Sequence, residues 1–516
     1  MKNLSRIMAI FCLLLSLCSC EDEANQSLDL PRTSANPHAI SMEQALASLQ
    51  DFMATPSVGI TRAARDNRRI GDVYAVEYKQ NILTRSSHVL NPDVENLVYV
   101  ANFENEQGFA ILAADDRIGE DVLALVDSGM LRPRIIKDPT LAQIDFERPI
   151  YKNYPLTGPG LYCDSTEQNE MFLNPNTINL YDEEANDTLV GNFGLDEEDT
   201  IIDWKGNIID KGGEAFNPTE STLKFIVGLV YKYTIDNIES QLIDDHGSSS
   251  TNTRIVTTYS DWNCIDYVTP ILWRYEKWGQ GAPFNDLYPK RRKFVLVGKK
   301  QKAPAGCFPL AISKVMTHFK FPHLFSYNNY TIDWNSLHYT YFPYSIDEKN
   351  SAASLLKGIS EGTHSIYFYQ GTFTLPVCAI NFMRNIGFNN VKRHNYTYSR
   401  ITSSLKNGCP LIIWAMPNTQ IRKSHAWNID GFETRVRNII TKKYINGVLK
   451  EEIAKPDTSQ MVHCDLGQYG LYNGYFTSGI FRLNGEDVEL DNSNIVGKSH
   501  TNYNTYIRII TYNKPD

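Results

Sequence analysis

The chain has 516 residues, 42% of them hydrophobic and 11% aromatic, with a formal net charge of −9. That apolar content supplies a buried core and excludes a disordered chain, and the length exceeds what one compact domain holds. Residues 21–250 carry 17 Lys/Arg against 40 Asp/Glu, while residues 251–516 carry 31 against 19, so an acidic half should attract a basic one. The basic residues are scattered rather than gathered into a nucleic-acid-binding patch.

Met1-Lys2-Asn3 and Arg6 precede an apolar stretch from Ile7 to Leu17, too short to span a bilayer and shaped like an export signal. The stretch ends at Leu17-Cys18-Ser19-Cys20, which resembles the lipobox of bacterial lipoproteins. Glu21-Asp22-Glu23 resembles the acidic export tag that follows the lipidated cysteine in some Bacteroidetes lipoproteins. These likenesses imply a signal over 1–19, acylation of Cys20, a tether over 20–41, and a protein held by its lipid at the outer membrane or cell surface. An ordinary secretory signal is the alternative.

Ala45, Leu46, Leu49, Phe52 and Met53 recur at helical spacing, and strands are expected at Val73–Tyr78, Leu97–Phe103, Phe109–Ala113 and Val122–Val126. Residues 138–215 are acidic and turn-rich, an expected insertion of loops and short strands, followed by a helix from Leu223 to Leu242. Asp244-Asp245-His246-Gly247-Ser248-Ser249-Ser250-Thr251-Asn252 is polar and marks the boundary between an acidic unit over 42–250 and a basic one over 251–516.

In the second unit, helices are expected at Val268–Trp278, after Cys307, and at Ser351–Ile359. Strands are expected at Pro410–Ala415, Ala426–Ile429, Gly479–Leu483 and Tyr506–Tyr512. Helices first and strands later predict an α+β domain in which an early helix packs on an antiparallel sheet. Outside the signal the cysteines are Cys163, Cys264, Cys307, Cys378, Cys409 and Cys464. They form no CxxC pair, and His318 and His323 form no HExxH helix, so neither a metal site nor a cofactor is expected.

Cys307 stands before a run with Ile312, Val315, Met316 and Phe319 at helical spacing, and Pro309 suits a first turn. A thiol at a helix mouth meets unpaired N–H groups that favour the thiolate, the form that acts as a nucleophile. Such a nucleophile needs a base and the base an orienter. His425, at the start of an expected strand, is the candidate base.

Four segments in order resemble the streptopain family of cysteine peptidases: Trp278-Gly279-Gln280-Gly281-Ala282-Pro283-Phe284-Asn285; Gly306-Cys307 with its helix; His425-Ala426 with Ile429-Asp430-Gly431; and His463-Cys464-Asp465-Leu466-Gly467 with Asn473-Gly474-Tyr475-Phe476. Leu97–Phe103, Gly108–Ile111 and Ala114-Asp115-Asp116 resemble its inhibitory propeptide, so the likeness spans most of the exported chain except 138–215. It implies a papain-like fold behind a propeptide, and an endopeptidase made as a zymogen that acts on proteins or peptides. Cys307 would be the nucleophile, His425 the proton shuttle, and Gln280 with the Cys307 N–H the oxyanion donors. Asp465, where the family has asparagine, would orient His425, and His463 would be structural. Leu466 replaces a tryptophan that shields the histidine, and Ser424 replaces a glycine. Leu466 and Gln468 prompt a second reading, a weakened or inactive peptidase fold used for binding or adhesion. A third, acyl transfer to amines, rests on Asp465.

Overall fold

The computed structural model describes residues 36, 38–54, 68–77, 94, 96–131, 218–241, 253–292, 300–337, 345–367, 371–416, 424–445, 448–481 and 506–515, with the backbone of five short strands between residues 173 and 212. The expected signal, Cys20, the boundary segment 244–252 and most of the insertion lie outside these residues.

Twelve strands form one antiparallel sheet. They are β1 (Ile70–Glu77), β2 (Asn96–Phe103), β3 (Phe109–Ala113), β4 (Val122–Val126), β5 (Thr253–Tyr259), β6 (Asn263–Val268), β7 (Lys392–Asn395), β8 (Leu411–Met416), β9 (His425–Ile445), β10 (Val448–Asp465), β11 (Gly474–Thr477) and β12 (Tyr506–Thr511). Across the sheet they run β1-β2-β3-β4-β11-β10-β9-β8-β12-β7, and β5 and β6 both pair with β9. The helices are α1 (Met42–Ala54), α2 (Pro218–Gln241), α3 (Cys307–Phe319), α4 (Ile346–Gly362), α5 (Pro376–Asn385) and α6 (Tyr398–Lys406).

Strand alternation divides the interior into two layers. On β8, Ile412 and Trp414 face the core formed with α3, α4 and α5. Leu411, Ile413 and Ala415 face the opposite core, which α2 and α6 close. The helix carrying Cys307 therefore lies on one face of the sheet and the acidic unit's α2 on the other. α4 starts earlier than its apolar pattern because Ser345 and Glu348 form a capping box.

Two expectations are corrected and one strand is longer than expected. Val268–Trp278 is not a helix: Val268 ends β6, and Trp273–Tyr275 form a single 3-10 turn. Thr269 precedes Pro270, which disfavours helix, and the Ile271 and Leu272 amides bond the Asp430 carbonyl and carboxylate. Gly479–Leu483 is not a strand, because Ser478–Phe481 turn as 3-10 helix. Ile480 and Phe481 both enter the α2-side core, whereas a strand would send them to opposite faces. The expected strand at Ala426–Ile429 is the start of 21-residue β9, whose charged outer half hides its strand character.

The two units share the sheet. β4 pairs with β11 through Gly474↔Val126, Tyr475↔Leu125 and Phe476↔Ala124. Residues of β2–β4 and α2 share a core with β8–β12. Arg435 lies over the Phe52 ring at 3.9 Å, and ion pairs cross between the units at Arg437–Asp121 (2.7 Å) and His463–Asp127 (3.8 Å). Ladder and apolar burial thus carry the attachment that net charge suggested, and the ion pairs add to it.

Glu120 belongs to this seam, beside Ser459 and Asp457 of β10 and near Asp121 and Arg437. Burial, with Asp457 and Asp121 adding, pushes its carboxyl from the ordinary 4.5 up to about 8. A raised carboxyl stabilises the packed state fully below the unfolded value and loses that contribution as pH climbs through the folded one. The full chain should therefore lose thermal stability between pH 4.5 and 8 partly through Glu120. Glu120→Gln should flatten that slope and raise the melting midpoint at pH 8, measured by scanning calorimetry.

Candidate active site

Gly306 has φ 95°, and a Cβ there would lie 3.0 Å from the Thr372 Cβ, so glycine is required where the chain enters α3. Cys307 is the first residue of that helix, half-buried and a free thiol. The backbone amides of Ala426, Phe308 and Cys307 surround its sulfur and favour the thiolate, but burial outweighs them and pushes the thiol above its ordinary 9.0. The helix mouth was expected to yield a thiolate. Here desolvation outweighs the helix mouth.

The Ala426 amide lies at that sulfur, while the ring of His425, one residue earlier on β9, shares the face of Trp427 in the α2-side core and makes no hydrogen bond to the sulfur. The His425 ring is buried, and desolvation pushes it down from 6.5 to about 4, opposed by a hydrogen bond to the Leu466 backbone. Nε2 makes no hydrogen bond among the described residues, so Nδ1 donates to the Leu466 carbonyl. That bond fixes the tautomer and leaves Nε2 as the proton acceptor. The Trp427 indole stacks on the imidazole at 5.8 Å between centroids and 20° between planes. Residues two apart on a strand share a face, so Trp427 covers one face of the imidazole.

Asp465 makes no hydrogen bond to His425 among the described residues. Its Oδ2 accepts from Lys314 Nζ at 2.6 Å, and its Oδ1 accepts from the Gly467 amide at 3.1 Å and Asn473 Nδ2 at 3.2 Å. Burial pushes the Asp465 carboxyl up and the Lys314 ammonium opposes it. A carboxylate that close to a fully buried ammonium is held by the stronger partner, and the imidazole takes the neighbouring carbonyl instead. His463 is structural as expected: its Nδ1 bonds Asp430 Oδ1 at 2.6 Å. Burial depresses this imidazole, but Asp430 and then Asp127 outweigh it and raise it above 6.5.

Gln280 lies beside the nucleophile's loop, because its carbonyl accepts from the Ala305 amide at 2.8 Å. Its side-chain amide makes no hydrogen bond among the described residues and so keeps its donors available. Tyr469 clamps this segment. Its amide bonds the Trp278 carbonyl at 3.1 Å, and its hydroxyl accepts from the Gly281 amide at 2.7 Å. A Cβ at Gly279 would lie 2.4 Å from the Tyr469 ring, and one at Gly281 would lie 2.5 Å from its hydroxyl. Tyr469 holds this pose at φ 57°, a conformation costly for a non-glycine residue.

The sequence model of the Peptidase C10 family matches residues 278–476, from the tryptophan before Gln280 to the phenylalanine of β11. These residues are similar to a Peptidase C10 family domain. The chain is a cysteine-type peptidase. Among solved structures it is similar to a fragment of Prevotella intermedia prointerpain A, with 15% identity, 86% of this chain and 100% of that chain covered, and a TM-score of 0.43. It is also similar to active Prevotella intermedia interpain A cysteine protease, with 22% identity, 41% and 86% coverage, and a TM-score of 0.30. No curated protein matches the chain.

Within residues 278–476, sequence reasoning passed over Lys314, Trp427 and Tyr469. Lys314 had a signal, since a lysine inside the apolar face of a buried helix needs a partner. Trp427 had one in its two-residue offset from His425. Tyr469 had none short of the fold. Gly279→Ala should cost about 1–3 kcal/mol through overpacking against the Tyr469 ring. In a Tyr469→Ala background the same substitution should cost much less, a non-additivity read from denaturant midpoints.

Proposed function

We propose that the chain is an exported, lipid-anchored cysteine endopeptidase made as a zymogen, with Cys307 as nucleophile and His425 as general base and acid. One observation supports the site assignment: the Cys307 sulfur rests on the Ala426 amide, next in the chain to His425, whose Nε2 does not bond that sulfur in this packed state, so the ring turns toward it on activation. His425 Nε2 takes the thiol proton as sulfur attacks the scissile carbonyl. The oxyanion accepts from the Cys307 amide and the Gln280 side chain. The imidazolium then protonates the leaving amine, and the thioester is hydrolysed by a water that His425 deprotonates, which regenerates the thiol.

The acidic unit over 42–250 is read as the inhibitory propeptide. The β4–β11 ladder and shared core support this reading, as does a His425 Nε2 that makes no hydrogen bond to the Cys307 sulfur. The lipobox resemblance supports an anchor at Cys20. Cleavage within 244–252 would separate the units covalently while the ladder still holds them, so activation requires the strands to part after the cut.

Wild-type protein should process itself near 244–252, and Cys307→Ala should remain full length, as read by intact-mass analysis. A peptide epoxide should label Cys307 in the processed protein. Persistence of processing in Cys307→Ala, or no labelling after removal of residues 42–250, would instead favour a binding protein on a peptidase fold.

A further inference from the structure

The sequence holds nine cysteines, and four of the described ones, Cys264, Cys307, Cys409 and Cys464, are free thiols. Cys378 is disulfide-bonded. It sits in the first turn of α5, buried in the core that α3 and α4 share. Its partner within the chain is therefore Cys12, Cys18, Cys20 or Cys163, all outside the described residues. Cys12 and Cys18 fall in the expected signal and Cys20 is the expected acylation site, so none of the three brings a thiol to the exported chain. Cys163, in the acidic insertion, remains. The insertion also reaches this part of the fold, because the backbone of its strand Asp199–Ile202 lies against that of Ile366–Tyr367. Ile366–Tyr367 pair with Thr372–Phe373, from which the chain runs through Leu375 into α5 and Cys378.

We infer that Cys163 is the partner of Cys378, and that the bond tethers the acidic unit to the peptidase after processing. The tether's effect rests on the reading of 42–250 as the inhibitory unit and of Cys307 as the nucleophile; the bond itself does not. Cys163 precedes the 244–252 boundary and Cys378 follows it, so a single cut there leaves the two fragments covalently joined. Return of β4 to β11 is then intramolecular, at a roughly millimolar effective concentration. Dilution alone fails to free the peptidase. Release of β1–β4 takes reduction of the bond, or a further cut on the N-terminal side of Cys163. An exported chain meets disulfide oxidants, and two successive thiol–disulfide exchanges oxidise Cys163 and Cys378 while reducing the oxidant's disulfide to two thiols. A dithiol such as dithiothreitol reverses both exchanges and leaves as a cyclic disulfide. Cys307 takes no part and stays a free thiol.

The test uses the full chain, exported by the bacterium that expresses it, as wild type, Cys307→Ala, Cys163→Ser and Cys378→Ala. Cys307→Ala, which needs no catalysis, is denatured in iodoacetamide without reductant, digested and mapped by mass. A linked pair of peptides holding Cys163 and Cys378 is expected, with Cys264, Cys409 and Cys464 alkylated. An alkylated Cys163, or a Cys378 linked to Cys20 or to a second chain, overturns the inference. Wild type that has processed itself should then run as one band on a denaturing gel until reduced, whereas Cys163→Ser and Cys378→Ala should give two bands without reductant. Diluted to nanomolar concentration, processed wild type should take up a peptide epoxide at Cys307 at least about 10-fold more slowly than processed Cys163→Ser. Equal uptake overturns the tether's role in release. Absence of processing and labelling in every form defeats the reading of Cys307 instead, and the peptide map of Cys307→Ala still decides the bond.

Discussion

The turn of chain from Asp465 to Tyr469 holds the candidate site together, because each part of the chemistry is fastened to a different residue of it. Asp465 receives Lys314 from the nucleophile's helix, and the Leu466 carbonyl receives His425. Tyr469 closes over the glycines on either side of Gln280. A helix, a strand and a loop, distant in sequence, meet at five consecutive residues. The geometry of catalysis is then only as firm as that turn, and buried hydrogen bonds with a buried ion pair make it firm.

The acidic unit touches the same region. After β4 enters the ladder with β11, the Asp127 amide bonds the Asn473 carbonyl at 2.9 Å, and the Ser128 hydroxyl bonds the Gly470 carbonyl at 2.6 Å. The residue that holds the Leu466 amide is thus also a docking point for β4. Attachment of the first unit and posture of the base share a physical element. Desolvation in this arrangement keeps both the thiol and the imidazole neutral. A gain of solvent at the site would move the two titrations toward each other.

Much of this was legible in the sequence. The strands of the first unit follow from alternation and nearly continuous apolar runs, and α3 follows from 3.6-residue periodicity behind a cysteine and a first-turn proline. Local pattern failed where tertiary partners decide. Pro270 and the Asp430 contacts turned an apparent helix into a turn, and Tyr233 beside Gly479 accompanies a 3-10 turn where alternation suggested a strand. The candidate pair was read from motif order, and the structure sets the Ala426 amide, next in the chain to His425, at the Cys307 sulfur. For Asp465, motif position names a residue but not its partners, and the ammonium that its carboxylate accepts here, from Lys314, lies 151 residues away. Trp427, two residues along β9, covers one face of the imidazole.

The central claim is that a backbone carbonyl, and not the Asp465 carboxylate, holds the base. Nitrogen-15 NMR of His425 in histidine-labelled full-length protein tests it most directly, in a Cys307→Ala background that blocks self-cleavage. The account predicts a neutral imidazole at pH 6 to 7 with the proton on Nδ1, unchanged in tautomer when Lys314→Met and Asp465→Asn are combined. A ring protonated on Nε2, or an Nδ1 proton resonance lost with the Asp465 carboxylate, would contradict it.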